Sequence, residues 1–296
     1  MHQHSVSKLS TVAIIIAMLL WGFAWSAGKL ASQHSNPQVA AFWRYAVSFI
    51  TIIPVIWFLK TPINASKKAV LYMLLAGILT SLFNYLFFAG LVEGNAGYGG
   101  TIVTSIAPIF TYIFSIIFFG IKISKKQLFA IFIGFLGALI LLRVPLEGFS
   151  FLTIESSYFL GCAIVWAMVT IISQKTSSLV DPMLYSVVVF GIVTFVNMLF
   201  ALPYHPFEVA NYDQTFWVAT IFIGVLAGTF ATTLYFIFAS KIGAHKTGIY
   251  MFIVPLGAII SSWFIYGEEI TASSIIGLIL AFVAVIIFNI KYEKLK

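Results

Sequence analysis

The chain has 296 residues, 61% hydrophobic and 8% charged, with a mean hydropathy of +1.06 and a formal net charge of +7. A soluble domain of this size carries about a quarter charged residues, so the composition excludes an ordinary water-soluble globule and places the chain in lipid. One cysteine, Cys162, excludes an intrachain disulfide and a cysteine-rich metal site, and His2, His4, His34, His205 and His245 are too scattered to form a metal constellation.

Ten apolar runs, each of about 20 residues and long enough to cross the hydrocarbon core as a helix, are predicted near 11–31, 38–59, 69–92, 97–120, 127–143, 156–174, 183–203, 215–239, 247–266 and 272–290. In the first, Trp21, Trp25 and Lys29 stand one turn apart and form an aromatic–aromatic–cation stripe rising about 12 Å. A ligand with an apolar body and an anionic end suits that stripe. Core packing of the tryptophans and snorkelling of Lys29 to the headgroups are the alternatives. Arg44 sits about 10 Å into the second span, where a charge needs a partner. A substrate carboxylate, helix-end carbonyls or Glu93 would serve.

The third span carries Asn84 at mid-depth with Phe88 one turn on, as cavity lining or as an interhelical tie. In the fourth, Thr101, Thr104 and Pro108 share a face. The sixth holds Trp166. The eighth carries Gly224 and Gly228 in a GxxxG, a packing signature, followed by Thr229, Thr232, Thr233 and Tyr235, of which Thr229 and Tyr235 are the cavity candidates. Tyr250 and Met251 precede Pro255 in the ninth. Pro108 and Pro255 each remove a backbone donor near mid-span, which predicts matched kinks beside a central cavity.

The prolines match because the chain repeats itself. Shifted by 147 residues, Ile106–Ser124 falls on Ile253–Thr271, so that Pro108/Pro255, Ser115/Ser262 and Gly120/Gly267 coincide. Shifted by 145, Trp21 meets Trp166 and Asn36-Pro37 meets Asp181-Pro182. Two units of five spans follow, residues 1–145 and 146–296. Five is odd, so the second unit enters the membrane from the opposite side. The predicted fold is an all-α membrane protein of ten transmembrane helices, built as two inverted-topology repeats.

Loop charges orient it. With the N-terminus inside, the inner segments hold Lys8, Lys60, Lys67, Lys68, Lys122, Lys125, Lys126, Lys175, Lys241, Lys246, Lys291, Lys294 and Lys296, which is 13 of the 16 basic residues. Only Lys29 and Arg143 fall outside, so both termini are expected in the cytoplasm. The first span is too long, and too well embedded in the repeat, for a cleaved signal peptide.

Several of these residues also carry a family resemblance. Trp21-Gly22, Lys29, Asn36-Pro37 and Phe42-Trp43-Arg44 resemble the opening of EamA-type transporters. Asn95-Ala96-Gly97 running to Pro108, and Ile242-Gly243-Ala244 running to Pro255, resemble the paired fourth and ninth helices of that family. Gly267-Glu268 closes the ninth span as the family pattern does, whereas Gly120 is followed by Ile121 and Lys122 and lacks the glutamate. The resemblance covers nearly the whole chain. It implies the drug/metabolite transporter superfamily, whose members move amino acids, other metabolites or drugs.

The functional expectation is a secondary transporter of a small organic metabolite, amino-acid-like or aromatic, exported across a bacterial cytoplasmic membrane by alternating access. Its partners are the small-molecule substrate and membrane lipids; no cofactor, metal or nucleic acid is expected, and no catalysis. All nine acids fall in loops, span edges or the tail, which argues against proton coupling. A lipid flippase or scramblase, or a membrane-embedded lipid-modifying enzyme, is the alternative; the enzyme would need clustered carboxylates that the spans lack.

Overall fold

The computed structural model describes residues 8–122, 124–150 and 152–289. The described residues fold into ten long helices: α1 (Lys8–Gln33), α2 (Pro37–Phe58), α3 (Lys67–Glu93), α4 (Ala96–Phe119), α5 (Lys125–Leu141), α6 (Ile154–Thr176), α7 (Pro182–Ala201), α8 (Gln214–Ile242), α9 (Ala244–Tyr266) and α10 (Ala272–Asn289). Eight of them, α1–α4 and α6–α9, are long and apolar enough to cross a membrane; α10 is a shorter apolar helix, and α5 has 17 residues. At 1.5 Å per residue α5 spans about 25 Å, close to a hydrocarbon core.

Local chemistry fixes where the helices begin. Asn36 and Asp181 cap α2 and α7 by accepting the N–H of Gln38 (3.0 Å) and Met183 (2.8 Å), and a proline follows each cap. Gly120 and Gly267 end α4 and α9 in the left-handed region, at φ 61° and 68°, where a side chain would be strained. The repeated sequence pairs are therefore repeated helix ends. The connections between α5 and α6 and between α7 and α8 contain short helical turns, Val144–Glu147, Leu202–Tyr204 and Val209–Asn211.

Helix pairing respects the repeat. The pairs α5–α10 and α2–α7 map onto themselves when the halves are exchanged. Contacts of α1 with α9 and α8 exchange with those of α6 with α4 and α3. One end of the bundle carries Lys67, Lys122, Lys175, Lys241 and Lys246 and is called the lysine-rich end; the other, with Glu208, Asp213, Glu268 and Glu269, is the acidic end.

Two helices depart from plain α winding, and the apolar pattern gives no sign of either. Phe222–Thr232 within α8 is π-wound, and Ile249–Ile253 within α9 is a 3₁₀ stretch that delivers Pro255 to the second position of the following α segment. Pro108, by contrast, lies inside α4. The π stretch contains Gly224 and Gly228. A Cβ on Gly224 would meet Val47 at 2.6 Å, and one on Gly228 would overlap Ser48. Their bareness lets α2 press against α8, and Ser48 Oγ donates to the Gly224 carbonyl at 2.8 Å.

Candidate functional site

At the centre, Trp21 of α1 meets Trp166 of α6 edge to face, with ring centroids 5.1 Å apart and planes at 86°. Tyr235 of α8 lies against both, 4.8 Å from Trp21 and 5.7 Å from Trp166. Such offsets suit the aromatic quadrupole and fix ring orientation. The Trp21 indole N–H donates to the Ala227 carbonyl (3.1 Å) and to Thr232 Oγ1 (3.2 Å), both in the π-wound stretch. The Trp166 Nε1 is buried and has no well-formed hydrogen bond.

Nearer the acidic end, Trp25 packs on Phe87 (4.7 Å) and Phe159 (5.7 Å). Phe87 in turn carries Arg44, whose Cζ sits 4.7 Å from the ring centroid. Between these layers lies a cavity of about 40 Å³. That is room for two or three waters and for no organic solute.

Of the residues singled out from sequence, Trp21, Trp25, Arg44, Thr104, Trp166 and Met251 line this cavity. Ala24, Phe83, Phe87, Val103 and Thr232 complete its wall, and the sequence reading selected none of them as site residues. Asn84 stands beside the cavity: it is fully buried, donates to the Ala41 carbonyl (3.0 Å) and accepts Arg44 Nη1 (3.4 Å). Tyr235 backs the wall, its hydroxyl near Thr170 Oγ1 (3.3 Å) and Met251 Sδ (3.6 Å). Thr229 bonds Thr51 Oγ1 at 2.6 Å and the Ser48 carbonyl at 3.0 Å, tying α8 to α2. The hydroxyl of Tyr250 bonds Thr11 of α1.

Other predicted residues are elsewhere. Phe88 faces a separate groove of about 980 Å³ between α2, α3, α6 and α7. Thr101 faces a pocket of about 300 Å³ at the acidic end, beside Asn95, Arg143 and Glu268. Lys29 leaves the aromatic stripe: its Nζ donates to the Gly94 carbonyl (3.0 Å) and lies 5.5 Å from the Tyr266 ring. The Glu93 side chain lies outside the described part of the structure.

Polar bonds close the acidic end. Ser26 Oγ of α1 is hydrogen-bonded with Ser261 (2.7 Å) and Ser262 (3.2 Å) of α9, and Tyr266 donates to the Ser26 carbonyl. Asn95, the cap of α4, donates to Glu268 at 2.8 Å across the halves. The lysine-rich end closes differently: Tyr112 stands edge-on to His245 (5.6 Å), and the Ala244 N–H donates to Gln174 (2.7 Å).

The EamA-like transporter family matches residues 8–143 and 153–290, one match for each half. The chain belongs to the EamA-like transporter family. It is 24% identical to the uncharacterized transporter YvbV of Bacillus subtilis over 96% of this chain and 93% of that one. It is 27% identical to the S-adenosylmethionine uptake transporter of Rickettsia bellii, over 92% and 94%, and 25% identical to the riboflavin transporter of Vibrio cholerae, over 71% and 70%. A solved crystal structure, 14% identical, shares the fold with a TM-score of 0.76 over 96% of this chain and 98% of the other. This EamA protein is thus a multi-pass membrane transporter, and its aromatic cavity lies where α1 and α8 of opposite repeats meet α3 and α6.

Proposed function

We propose that the protein is a secondary carrier for a small organic solute with a planar ring system, working by alternating access between units 1–145 and 146–296. The observation that supports it is the repeat-related pair Trp21 and Trp166, meeting at the wall of a central cavity. Binding near the interface of inverted repeats is the usual design of such carriers. Riboflavin and S-adenosylmethionine, named for two relatives, each contain a fused nitrogen heterocycle. The fused ring is common to both, whereas an α-amino-acid end is present in S-adenosylmethionine alone. Opening the acidic end would part the Ser26–Ser261 and Asn95–Glu268 bonds.

Movement is proton-independent and follows the cargo's own gradient, giving export whenever the cargo is more concentrated inside. Among the described residues Arg44 is the sole ionisable side chain lining the cavity, and a guanidinium does not release its proton in the working range. Proteoliposomes given labelled riboflavin or S-adenosylmethionine should equilibrate one of them and gain nothing from an imposed pH gradient. Accumulation that collapses with a protonophore and disappears in Glu93→Gln would make Glu93 a coupling site instead. Transport of neither compound would remove the support for a ring-bearing cargo.

The membrane is the bacterial cytoplasmic membrane and the lysine-rich end faces the cytoplasm, following the positive-inside rule. Cysteines at the exposed positions Ser66 and Lys125 should label only from the cytoplasm, and one at Asn211 only from outside. The native Cys162 is fully buried and should stay silent. Labelling of Asn211 from inside would overturn the topology. A lipid flippase is the second reading, favoured by the lateral groove at Phe88. That groove shares no lining residue with the central cavity, which keeps it second.

A further inference from the structure

Arg44 is held in an arrangement that lacks a counter-charge. It lies on α2 with 7% of its surface exposed, at the cavity wall. Its guanidinium makes one hydrogen bond among the described residues, from Nη1 to the neutral Asn84 Oδ1, and at 3.4 Å that bond is long. Its Nε is buried without a partner. The rings of Phe87 and Tyr45 lie 4.7 and 5.5 Å from its Cζ and offer no hydrogen-bond partner to Nε. No described carboxylate lies within ion-pair distance. Glu93 stands nine residues beyond Asn84 on α3, roughly 13 Å along the helix axis.

A buried cation without a partner costs several kcal/mol, so the fold must gain elsewhere by keeping it. A mere tie to Asn84 does not account for it, because two neutral side chains would pair as well. Residue 189, the repeat mate of 44 under the 145-residue shift, is Val189, fully buried and apolar. The position therefore tolerates an uncharged side chain in the other half. What an arginine adds is a planar fork of donors that matches a carboxylate in two bonds.

We propose that Arg44 is the anion subsite of the central cavity and that the cargo carries a carboxylate or similar planar oxyanion next to its ring. The ring then lies toward Trp21 and Trp166 while the oxyanion docks on the Nε edge of Arg44. This rests on the carrier reading for the word cargo, but binding alone tests it. Among the described residues the lining holds a cation and no acid, so the matching anion is held more tightly than a neutral or purely cationic compound with the same ring.

The test uses purified full-length protein in detergent and a thiol-reactive coumarin, since buried Cys162 becomes reactive only on unfolding. Wild type, Arg44→Gln, Arg44→Lys and Asn84→Leu are melted alone and then with indole-3-acetate, indole-3-acetamide or tryptamine, one ring in three charge states. Without ligand, Arg44→Gln should melt above wild type, because it relieves an unpaired charge; melting as far below wild type as Asn84→Leu would make Arg44 a structural tie. With ligand, the acetate alone should raise the wild-type midpoint. Its affinity should fall at least about tenfold in Arg44→Gln and partly recover in Arg44→Lys. Equal shifts from all three compounds, no shift from any, or an acetate shift that survives in Arg44→Gln would overturn the inference. Failure of transport with intact acetate binding would instead count against the carrier reading.

Discussion

Trp21 and Trp166 occupy the same place in the two repeats and touch edge to face, yet only the Trp21 indole nitrogen makes well-formed hydrogen bonds, that of Trp166 having a poorly aligned contact with Tyr235. The difference comes from their neighbours. Trp21 reaches a π-wound stretch of α8 that offers the Ala227 carbonyl and Thr232; Trp166 faces Phe83 of α3 at 5.1 Å. Arg44 against Val189 follows the same rule. The two repeats share a scaffold, and at these two positions the polar groups differ between the copies.

The largest test of that divergence is at the helix contacts. Gly22 touches α9 backbone to backbone: a Cβ there would overlap the Val254 carbonyl and lie 2.5 Å from Gly257 Cα. Its repeat mate under the 145-residue shift is Ala167, fully buried in α6. Backbone cannot swing aside as a side chain can, so Gly22→Ala should cost about 3 kcal/mol, the upper end for overpacking. Ala167→Gly should cost about 1 kcal/mol, the helix penalty of glycine. Thermal unfolding of both variants checks the ranking. Equal losses would mean that the α1–α9 contact is as compliant as its counterpart.

Sequence made the scaffold legible because its signals are local. Apolar length marked the spans, and Asn36-Pro37, Asp181-Pro182, Gly120 and Gly267 marked their ends to within a few residues. The tryptophan pair came from the repeat. What escaped depends on winding and on distant chain. Reading α8 at α-helical spacing favours Thr229, but π winding turns Thr232 to the cavity and Thr229 toward α2. Lys29 shares the Trp21 face, yet its long side chain is claimed by the Gly94 carbonyl at the α3–α4 turn. Phe83 and Phe87 look like any aromatic pair on an apolar helix, and only their place beside Arg44 and Trp166 distinguishes them.

A gentler way to sharpen the comparison keeps both rings and removes both nitrogens. Trp21→Phe loses the bonds to Ala227 and Thr232, whereas Trp166→Phe loses only a poorly aligned contact with the Tyr235 hydroxyl. Trp21→Phe should therefore be the less stable of the two by about 1 kcal/mol, the net worth of a hydrogen bond. Both should weaken transport if the rings bracket the cargo. Equal melting temperatures would show that the Trp166 nitrogen finds a partner of similar strength.

The smallest expected effect is at the helix caps. Ser66 opens α3 and Asp213, its mate at a shift of 147, opens α8. Each accepts a first-turn N–H, from Ala69 at 3.2 Å and from Phe216 at 2.8 Å. Only Asp213 is ionisable, and it also contacts His34 Nδ1 at 2.7 Å, tying the end of α1 to the start of α8. The Phe216 N–H, and after it His34, hold the Asp213 carboxyl below its usual 3.8. A carboxyl depressed in this way contributes stability that is fully present above its unfolded value and is lost as the pH falls through the lower, folded one. The carboxylate is open to solvent, so the increment is small and salt-screened. Asp213→Ser gives α8 the neutral cap that Ser66 gives α3. Between neutral pH and about pH 3, wild type should lose slightly more thermal stability than Asp213→Ser, and high salt should shrink the gap. Identical pH slopes would mean that Asp213 works as a neutral cap does, and that this pair of repeat mates has diverged in sequence without diverging in physics.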